Sequence, residues 1–552
     1  MGNASGDGLT LKRHHFGLIR ELAGDKYDNG LVDYESVIRN RKLENIRIPD
    51  GLNARLRPYQ AEGFQWMNIM QQLQLGGVLA DDMGLGKTLQ TLVMLMHSKK
   101  TNVLTEELQE IPPDGPTRQL DLFAPAYSAG TAKTRTSLIV MPLSLIHNWI
   151  NEVTKFTSGL RTYVHSGQDR VQDPKIFLNY DIVLTTYGII RNDLDMFRQI
   201  EFWYIILDES QLIKNPQSKL FRSVKQLRSR HKLVLTGTPI ENSLVDLWAQ
   251  LTFLNEGLLG NLNYFKEEYV VPIEKNKNPQ KEEKLQRMIG PFILRRTKEM
   301  VARDLPSLSE QIYYCEMSEA QKSLYEERKS EIRNTILENI TKMGTDRSRF
   351  VILKGLMQLR LLANHPMLYT GNKPDETDLH TIPSGKFEEV IRNLENLRAE
   401  GHKVLIYSQF VKHLRIFRDY FEKQGYRYSM LTGQTITDDR QQVIREFQEE
   451  EDRMFFLITL KAGGVGLNLT AAEYVFLLDP WWNPAVENQA VSRAHRIGQE
   501  KKVFSYKFIT RDTIEEKILQ LQSRKSELAS LFISNNNPLR FFTKESIVKL
   551  IE

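Results

Sequence analysis

Two adjacent carboxylates, Asp208 and Glu209, follow the apolar run WYIIL at residues 203–207. The run predicts a strand that buries its side chains on both faces, so the acids should lie at its carboxyl end. Paired acids at such an edge are costly to desolvate unless a cation or a reacting water meets them. The pair therefore predicts a metal-dependent site or, as the simpler alternative, a cap on the helix that follows.

The stretch VLADDMGLGKT at residues 78–88 predicts a phosphate-binding loop on whose ligand the two acids could act. It predicts a strand, a loop and a helix, in which Gly84 and Gly86 let backbone N–H groups converge on a phosphate at the helix N-terminus. Lys87 is expected to reach the β- and γ-phosphates of a nucleotide, and Thr88 to offer its hydroxyl to Mg²⁺. The predicted phosphate loop consists of Asp82, Met83, Gly84, Leu85, Gly86, Lys87 and Thr88.

The loop and the acids together predict hydrolysis of a nucleoside triphosphate with Mg²⁺. In that reaction Asp208 holds Mg²⁺, usually through water, and Glu209 orients and deprotonates the attacking water. The usual loop pattern has a glycine where this chain has Asp81. For the loop taken alone, the alternative is a tight strand–helix turn with Lys87 on the surface.

Composition places the chain among ordinary globular proteins. Its 552 residues predict several domains, and a net charge of +5 beside 74 basic and 69 acidic residues favours a mixed solvated surface. The single cysteine, Cys315, excludes an intrachain disulfide and a cysteine-based zinc site. We find no secretion signal and no apolar run near the roughly 20 residues of a membrane helix. We expect a soluble intracellular protein, in the cytoplasm or nucleoid of a bacterium or the nucleus of a eukaryote.

Short apolar runs separated by crossover-length segments predict an α/β fold with two lobes, each built on a parallel, doubly wound sheet. Between the lobes the strand signal fades and helical spacing takes over. Residues 101–136, with several Pro, Gly and Ser, predict a flexible surface loop. The predicted divisions are an N-terminal extension at 1–50, lobe one at 51–258, a helical segment at 259–375, lobe two at 376–522 and a C-terminal segment at 523–552.

From about residue 55 to 522 the chain resembles the Snf2 family of superfamily 2 helicase-like ATPases. The motifs that carry the resemblance are LRPYQAEGFQWM (56–67), DDMGLGKT (81–88), LIVMPLSLIHNWINEVTKF (138–156), VLTTYG (183–188), LTGTPIENSLVDLW (235–248), FILRRTKE (292–299), VLIYSQF (404–410), LTG (431–433), TLKAGGVGLNLTAA (459–472) and DPWWNPAVENQAVSRAHRIGQ (479–499). The resemblance implies RecA-like lobes, helical protrusions at 259–375 and a C-terminal brace. It also implies that Gln60 contacts adenine and that ATP lies in the cleft between the lobes.

The stretch QAVSRAHR supplies positive charge from lobe two. Its spacing places Gln489, Arg493 and Arg496 at i, i+4 and i+7, which predicts one face of a helix. Arginines there can neutralise charge on the transferring γ-phosphate, although a solvated basic face is the alternative for an isolated pair. The resemblance implies that ATP draws the lobes together and that hydrolysis releases them.

A motor that steps along nucleic acid needs contacts to phosphates rather than to bases. We predict these contacts at polar or basic residues that come directly after apolar strands. For each of them, a role in a turn or a helix cap is an equal alternative. The candidates are Ser144, His147, Thr185, Thr186, Ser408, Gln409, Thr459 and Lys461.

The resemblance identifies LTGTPIENSLVDLW (235–248) as the family's coupling motif. The family usually has histidine at the position of Gln211, whose amide can still hydrogen-bond to this motif. The resemblance implies a monomeric motor that hydrolyses ATP, translocates on double-stranded DNA and remodels a DNA-bound protein, either a nucleosome or an RNA polymerase. Two alternatives stay open: a strand-separating helicase, and a nucleotide-gated DNA-binding module with weak hydrolysis.

Overall fold

The computed structural model describes residues 3–5, 8–10, 46–109, 135–237, 243–301, 305–369, 382–435, 437–463 and 467–531. The chain divides into two compact units, Met1–Val301 and Ala302–Glu552, which we call lobe one and lobe two. Most of the predicted extension at 1–50, most of the predicted loop at 101–136 and residues 532–552 of the predicted brace lie outside the described residues. Within the described residues, no helix is long and apolar enough to cross a membrane.

Lobe one is built on a seven-stranded parallel sheet, and a short antiparallel pair lies near its N-terminus. The strands are β1 (Asn3–Ser5), β2 (Gly8–Thr10), β3 (Gly77–Leu79), β4 (Ser137–Met141), β5 (Thr162–His165), β6 (Ile182–Thr186), β7 (Glu201–Asp208), β8 (Arg228–Leu235) and β9 (Ile293–Leu294). The order in the large sheet is β5-β6-β4-β7-β8-β3-β9. Because the strands run parallel, their carboxyl ends, and the residues that follow them, share one edge of the sheet.

Helices on lobe one connect these strands. They are α1 (Pro58–Gln72), α2 (Lys87–Gln109), α3 (Ile146–Phe156), α4 (Tyr187–Asn192), α5 (Leu194–Phe197), α6 (Lys219–Lys225), α7 (Leu244–Leu254), α8 (Leu262–Phe265), α9 (Pro279–Ile289) and α10 (Lys298–Val301), with a π-helix at Lys266–Lys275. The predicted loop at 101–136 needs a correction at its start, because α2 continues to Gln109. The sequence TNVLTEELQ has helix-forming residues there, and the prolines come only later.

Lobe two carries a six-stranded parallel sheet in the order β10-β15-β14-β11-β13-β12. Its strands are β10 (Leu308–Cys315), β11 (Val404–Ser408), β12 (Tyr428–Leu431), β13 (Phe455–Thr459), β14 (Tyr474–Leu477) and β15 (Val503–Thr510). Its helices are α11 (Glu319–Arg347, bent at Gly344), α12 (Arg349–Asn364), α13 (Gly385–Ala399), α14 (Val411–Gln424), α15 (Thr437–Glu449), α16 (Leu460–Gly463), α17 (Pro484–Val491) and α18 (Ile514–Leu531). The two doubly wound sheets confirm the predicted fold class.

The segment at 259–375, predicted to be helical, also contains strands β9 and β10. Strand β9 pairs with β3 of lobe one, whereas β10 pairs with β15 of lobe two. Strand β9 has only two residues, and β10 is an edge strand with exposed polar side chains. Neither shows the apolar run by which most of the other strands were predicted. The compact units therefore divide inside this segment rather than at its ends.

A buried ion pair ties four elements of lobe two together. Lys386 Nζ lies 2.6 Å from Glu515 Oε2, and both side chains are fully buried. The same ammonium donates to Asn364 Oδ1 and to the carbonyl of Leu478, both at 2.9 Å. Burial raises the pKa of Glu515, while Lys386 and the N–H of Thr510 oppose this by favouring the charged carboxylate. The pair is thus fully hydrogen-bonded, as a buried charge requires.

Replacing Lys386 with methionine is expected to destabilise lobe two by about 3–5 kcal/mol, because Glu515 would stay buried without a partner. Calorimetric unfolding of the full chain measures this loss as a lower melting temperature of one transition. Lys354→Met, at an exposed lysine of α12, is the matched control and should leave the transition in place. An unchanged melting temperature in Lys386→Met would show that the pair contributes no net stability.

Candidate functional site

The loop between β3 and α2 has the geometry that phosphate binding requires. Gly84 and Gly86 adopt φ angles of 88° and 77°, a conformation that other residues rarely adopt. A Cβ at Gly86 would lie 2.6 Å from Gln60 Nε2, so this position also has no room for a side chain. Helix α2 begins directly after the loop, with Lys87 and a half-buried Thr88 as its first residues. Its N-terminal N–H groups therefore face the loop.

Lys87 lies at the centre of this arrangement. Its Nζ donates to the carbonyls of Asp81 at 2.5 Å and Asp82 at 3.2 Å. Burial lowers the pKa of Lys87, and the negative charges of Glu209, Asp81, Asp208 and Asp82 oppose that shift. The carboxylates of Asp208 and Glu209, at the end of β7, are thus close enough to affect the lysine of the loop.

Gln60, predicted to contact adenine, packs against the same loop. It is 4% exposed, and its Nε2 donates to the carbonyl of Leu85 at 3.2 Å. The hydroxyl of Tyr59 donates to that carbonyl at 3.0 Å, and Gln60 Oε1 accepts from the N–H of Arg57 at 2.9 Å. The N-terminal end of α1 is therefore attached to the loop at Leu85.

Asp208 ends strand β7 and is held by a tryptophan that the sequence analysis did not single out. The indole Nε1 of Trp149, on α3, donates to Asp208 Oδ2 at 2.8 Å, while Oδ1 accepts from the N–H of Glu209. Tyr187 donates to the carbonyl of Asp208 at 2.8 Å. Burial and the neighbouring charge of Glu209 raise the pKa of Asp208 to about 7, against the opposing effects of Trp149 and Lys87.

Glu209 adopts φ 50°, a left-handed conformation that is uncommon for a residue with a side chain. Its Oε2 accepts a hydrogen bond from Gln211 Nε2 at 2.8 Å. The Oε1 of Gln211 accepts in turn from the hydroxyl of Thr236, directly after β8, at 3.4 Å. Gln211 therefore joins the acid to the coupling motif, although this chain lacks the usual histidine.

Replacing Gln211 with leucine is expected to lower kcat for ATP hydrolysis about tenfold, because a hydrogen bond to a charged group contributes about 1.5–3 kcal/mol. The affinity for ATP should stay unchanged, since Gln211 contacts Glu209 rather than the phosphate loop. Steady-state phosphate release and equilibrium nucleotide titration measure the two quantities separately. Gln217→Leu, at an exposed glutamine of the same segment, is the control. A kcat equal to that of the control would exclude this role for Gln211.

The coupling motif also touches the phosphate loop directly. A Cβ at Gly237 would lie 2.9 Å from Cγ of Met83, so glycine is needed for this close approach. In the sheet, β8 lies between β7 and β3. The acids, the coupling motif and the loop therefore follow three neighbouring strands. Residues 238–242 of the coupling motif lie outside the described residues.

Asp81 and Asp82, at the start of the loop, are bound by the segment that follows β9. Asp81 is fully buried and forms an ion pair with Arg296, whose Nη2 lies 2.5 Å from Oδ2. Asp82 Oδ2 accepts from the N–H of Lys298 at 3.1 Å. The sequence motif FILRRTKE included Arg296, but no local pattern linked it to Asp81, which lies 215 residues earlier.

The donors on lobe one fit a magnesium ion. Mg²⁺ keeps several waters and takes one or two carboxylates together with phosphate oxygens. Asp208 and Thr88 supply a carboxylate and a hydroxyl, and each carboxylate oxygen of Asp208 accepts one protein hydrogen bond, which leaves lone pairs available. Where the chain is described, no cluster of three or more His, Cys, Asp or Glu residues forms a separate metal cage. A carboxylate and a hydroxyl on lobe one therefore suit a metal whose remaining ligands are waters and phosphate oxygens.

The three predicted residues of lobe two lie at the end of α17, and the prediction of one continuous helix face is wrong. Helix α17 ends at Val491, so Gln489 lies on it while Arg493 and Arg496 lie in the turns that follow. The chain is held there because the carbonyl of Arg493 accepts from Leu469 N at 3.1 Å. Arg493 is 6% exposed, and Arg496 Nη1 donates to the carbonyl of Leu467 at 3.2 Å.

Two of the predicted nucleic-acid contacts on lobe one have accessible side chains, Ser144 in a 3₁₀ turn and an exposed His147 on α3. The prediction for Thr185 is corrected, because its side chain is fully buried and its hydroxyl donates to the carbonyl of His165. Thr186 is the N-cap of α4 and accepts from Ile189 N, which is the structural role left open for it.

The predicted contacts on lobe two divide in the same way. Ser408 is fully buried and donates to Asp479 Oδ1 at 2.5 Å, so the prediction of a DNA contact at this residue is corrected. Gln409 is half-buried, and its Nε2 donates to the carbonyl of Pro480 at 3.0 Å. Thr459, at the end of β13, is 5% exposed and its hydroxyl is buried, so the prediction of a DNA contact there is corrected as well. Lys461 lies on the short helix α16, and its side chain is outside the described set.

A parallel sheet with a glycine loop and helix after one strand, and paired acids after a nearby strand, defines an α/β protein of the phosphate-loop class. Comparison with known families places the chain within this class. The sequence profile of the SNF2-related domain matches residues 59–368, and that of the helicase conserved C-terminal domain matches residues 385–498. The chain belongs to the SNF2 family.

Relatives of the chain come from bacteria and eukaryotes. The putative ATP-dependent helicase/translocase YwqA of Bacillus subtilis is 35% identical over 579 residues, covering 100% of this chain and 58% of YwqA. The TATA-binding protein-associated factor MOT1 of Saccharomyces cerevisiae is 34% identical over 547 residues, covering 90% of this chain and 28% of MOT1. Thus the chain spans little more than half of one relative and less than a third of the other.

Among solved structures, the SWI2/SNF2 ATPase core of Sulfolobus solfataricus in complex with dsDNA is 36% identical to this chain. The match covers 91% of this chain and 98% of the Sulfolobus chain, with a TM-score of 0.43.

Proposed function

We propose that this protein is a DNA-dependent ATPase that hydrolyses ATP with Mg²⁺ and translocates along double-stranded DNA. The observation that carries the proposal is the arrangement at one edge of the lobe-one sheet. The phosphate loop follows β3, Asp208 and Glu209 come at the end of β7, and Gln211 joins Glu209 to Thr236 after β8. Family membership and the name of YwqA, an ATP-dependent helicase/translocase, support the same activity.

Phosphoryl transfer depends on placement and on neutralisation of charge, because little covalent chemistry falls to the protein. In this proposal Lys87 and the N–H groups of the loop bind the phosphates. Mg²⁺, held by Thr88 and Asp208, would neutralise charge on the β- and γ-phosphates. Glu209 accepts the proton of the attacking water, and Gln211 fixes the direction of its carboxylate.

The second lobe completes the chemistry in this proposal. Arg493 and Arg496 supply guanidinium groups to the γ-phosphate as its charge redistributes during transfer, with Gln489 beside them. Gln60 contacts adenine at the other end of the nucleotide. Because the loop and the arginines lie on different lobes, hydrolysis would be coupled to the movement that drives translocation.

The proposed contacts to DNA are to its phosphates, which suits a motor that must be indifferent to sequence. Ser144 and His147 on lobe one have the accessibility that this role requires. On lobe two, Gln409 and Lys461 are the proposed counterparts, and the buried Thr459 is not retained. The name of MOT1, a TATA-binding protein-associated factor, favours a DNA-bound protein as the target that the motor displaces or moves.

The experiment that tests the proposal compares phosphate release with no DNA, with single-stranded DNA, with duplex DNA and with nucleosomes. Duplex DNA should stimulate hydrolysis strongly, and single-stranded DNA should do so weakly. A rate that DNA does not change would overturn the proposal and favour a nucleotide-gated binding module. Displacement of one strand from forked DNA would instead identify a strand-separating helicase.

A further inference from the structure

The residue at the start of the phosphate loop, Asp81, carries a charge where the usual pattern has glycine. Its carboxylate is fully buried and receives two hydrogen bonds from Arg296, at 2.9 Å from Nε to Oδ1 and at 2.5 Å from Nη2 to Oδ2. Gln90 on α2 connects the two partners, since its Nε2 donates to Asp81 and its Oε1 accepts from Arg296. The three side chains form one closed hydrogen-bonded cluster.

This cluster is packed against helix α1. Arg296 Nη1 donates to the carbonyl of Tyr59, and the guanidinium lies 5.3 Å from the centre of the Tyr59 ring. A Cβ at Gly63 would lie 1.9 Å from Gln90 Oε1 and 2.8 Å from Arg296 Nη2. Only glycine at this position leaves space for the cluster. The other nearby charge, Glu62, is half-exposed at 3.9 Å from Arg296.

Hydrogen bonds join residues 294–298 to the start of the phosphate loop at residues 80–82. Ala80 N donates to the carbonyl of Leu294 at 2.7 Å, and Asp82 N donates to that of Arg296 at 3.0 Å. Lys298 N then donates to the side chain of Asp82. Arg296 therefore lies on a segment that runs alongside the loop, and its side chain extends to Asp81 at the start of the loop.

The negative charge of Asp81 is close enough to the phosphate loop to affect the binding of an anion there. Burial lowers the pKa of Lys87, whose ammonium lies 2.5 Å from the carbonyl oxygen of Asp81, and the charges of Glu209 and Asp81 oppose that shift. Without Arg296, a buried carboxylate with no ionic partner would remain at the start of the loop whose lysine is proposed to bind the phosphates. Charges in a buried setting act over several ångströms because water does not screen them.

We propose that Arg296 is a positioning residue for the nucleotide, which neutralises Asp81 behind the phosphate loop and fixes the loop to β9 and α1. This inference rests on the proposed function, because it assumes that the loop binds the phosphates of ATP. It predicts that replacing Arg296 and replacing Asp81 have different effects on nucleotide binding. Loss of Arg296 leaves an anion behind the loop, whereas loss of the Asp81 charge leaves a cation there.

The test is calorimetric titration of ADP with Mg²⁺ into the full chain, which needs no turnover. Arg296→Met should weaken ADP binding by about tenfold or more. Asp81→Asn should keep the affinity within about threefold of the wild type, although both variants lose stability. The double variant Asp81→Asn/Arg296→Met should recover most of the affinity. Arg295→Met, at the exposed neighbouring arginine, is the matched control.

Equal weakening in Arg296→Met and Asp81→Asn would show a purely structural cluster and would overturn the inference. So would a double variant no better than Arg296→Met. If Arg296→Met does not fold, the Asp81→Asn result decides alone, because a tenfold loss there contradicts the proposal. A wild-type chain that does not bind ADP would instead refute the proposed function itself.

Discussion

Replacing Glu209 with glutamine is expected to lower kcat for ATP hydrolysis by about 10²–10⁴-fold while ATP binding survives. A carboxamide cannot accept the proton of the attacking water, yet it has almost the same shape as the carboxylate. Its oxygen can still accept the hydrogen bond from Gln211, so the left-handed backbone at this position should persist. Phosphate release in the presence of duplex DNA measures the rate, and equilibrium titration with ATP measures the binding.

The matched control for this variant is Glu201→Gln. Glu201 begins the same strand, β7, but it is exposed at the opposite end from the site. The control should hydrolyse ATP at the wild-type rate. Turnover in Glu209→Gln equal to that of the control would remove Glu209 from the role of general base.

The second large effect is expected at the arginines of lobe two. The double variant Arg493→Gln/Arg496→Gln should lower kcat by about a thousandfold, because guanidinium groups of this kind contribute about 10³–10⁵ in rate. The affinity for ATP should fall less than tenfold, since the phosphate loop and Gln60 are unchanged. Single-turnover hydrolysis at saturating ATP separates the chemical step from binding.

Arg493 is largely buried, so the double variant needs a control for folding. Thermal unfolding should show both lobes intact. Arg392→Gln, at an exposed arginine on α13, should retain full activity. A folded double variant that hydrolyses ATP at the wild-type rate would exclude both arginines from the reaction.

Strands buried on both faces were predicted from the sequence because each is a continuous apolar run. The apolar run SLIVM at 137–141 forms β4, and the runs KVLIYS (403–408) and YVFLLD (474–479) contain β11 and β14. Strands β5, β9 and β10 were missed. They are short or lie at sheet edges, where polar side chains are tolerated and tertiary pairing decides the conformation.

The candidate site was predictable where its chemistry is local in sequence. Gly84, Gly86 and Lys87 form one loop, and their spacing alone predicts their conformation. Trp149 and Arg296 could not be found in this way. The first lies 59 residues from Asp208 and the second 215 residues from Asp81, so only the folded sheet brings each to its partner.

The predicted nucleic-acid contacts show the limit of placing a residue by strand position alone. A polar residue at or after the end of a strand either faces solvent or hydrogen-bonds to a neighbouring segment. Thr185 and Ser408 hydrogen-bond to neighbouring segments, whereas His147 faces solvent. The sequence states only that each is polar, and the direction of the side chain depends on residues far away along the chain.

The central claim is that hydrolysis requires groups from both lobes at one nucleotide. The most direct measurement is a structure of the Glu209→Gln variant bound to ATP, Mg²⁺ and duplex DNA. We predict a guanidinium of Arg493 or Arg496 at about 2.7–3.2 Å from a γ-phosphate oxygen, with Lys87 on the same phosphate chain. A structure in which ATP occupies the phosphate loop while both arginines stay beyond hydrogen-bond distance of the γ-phosphate would contradict the account.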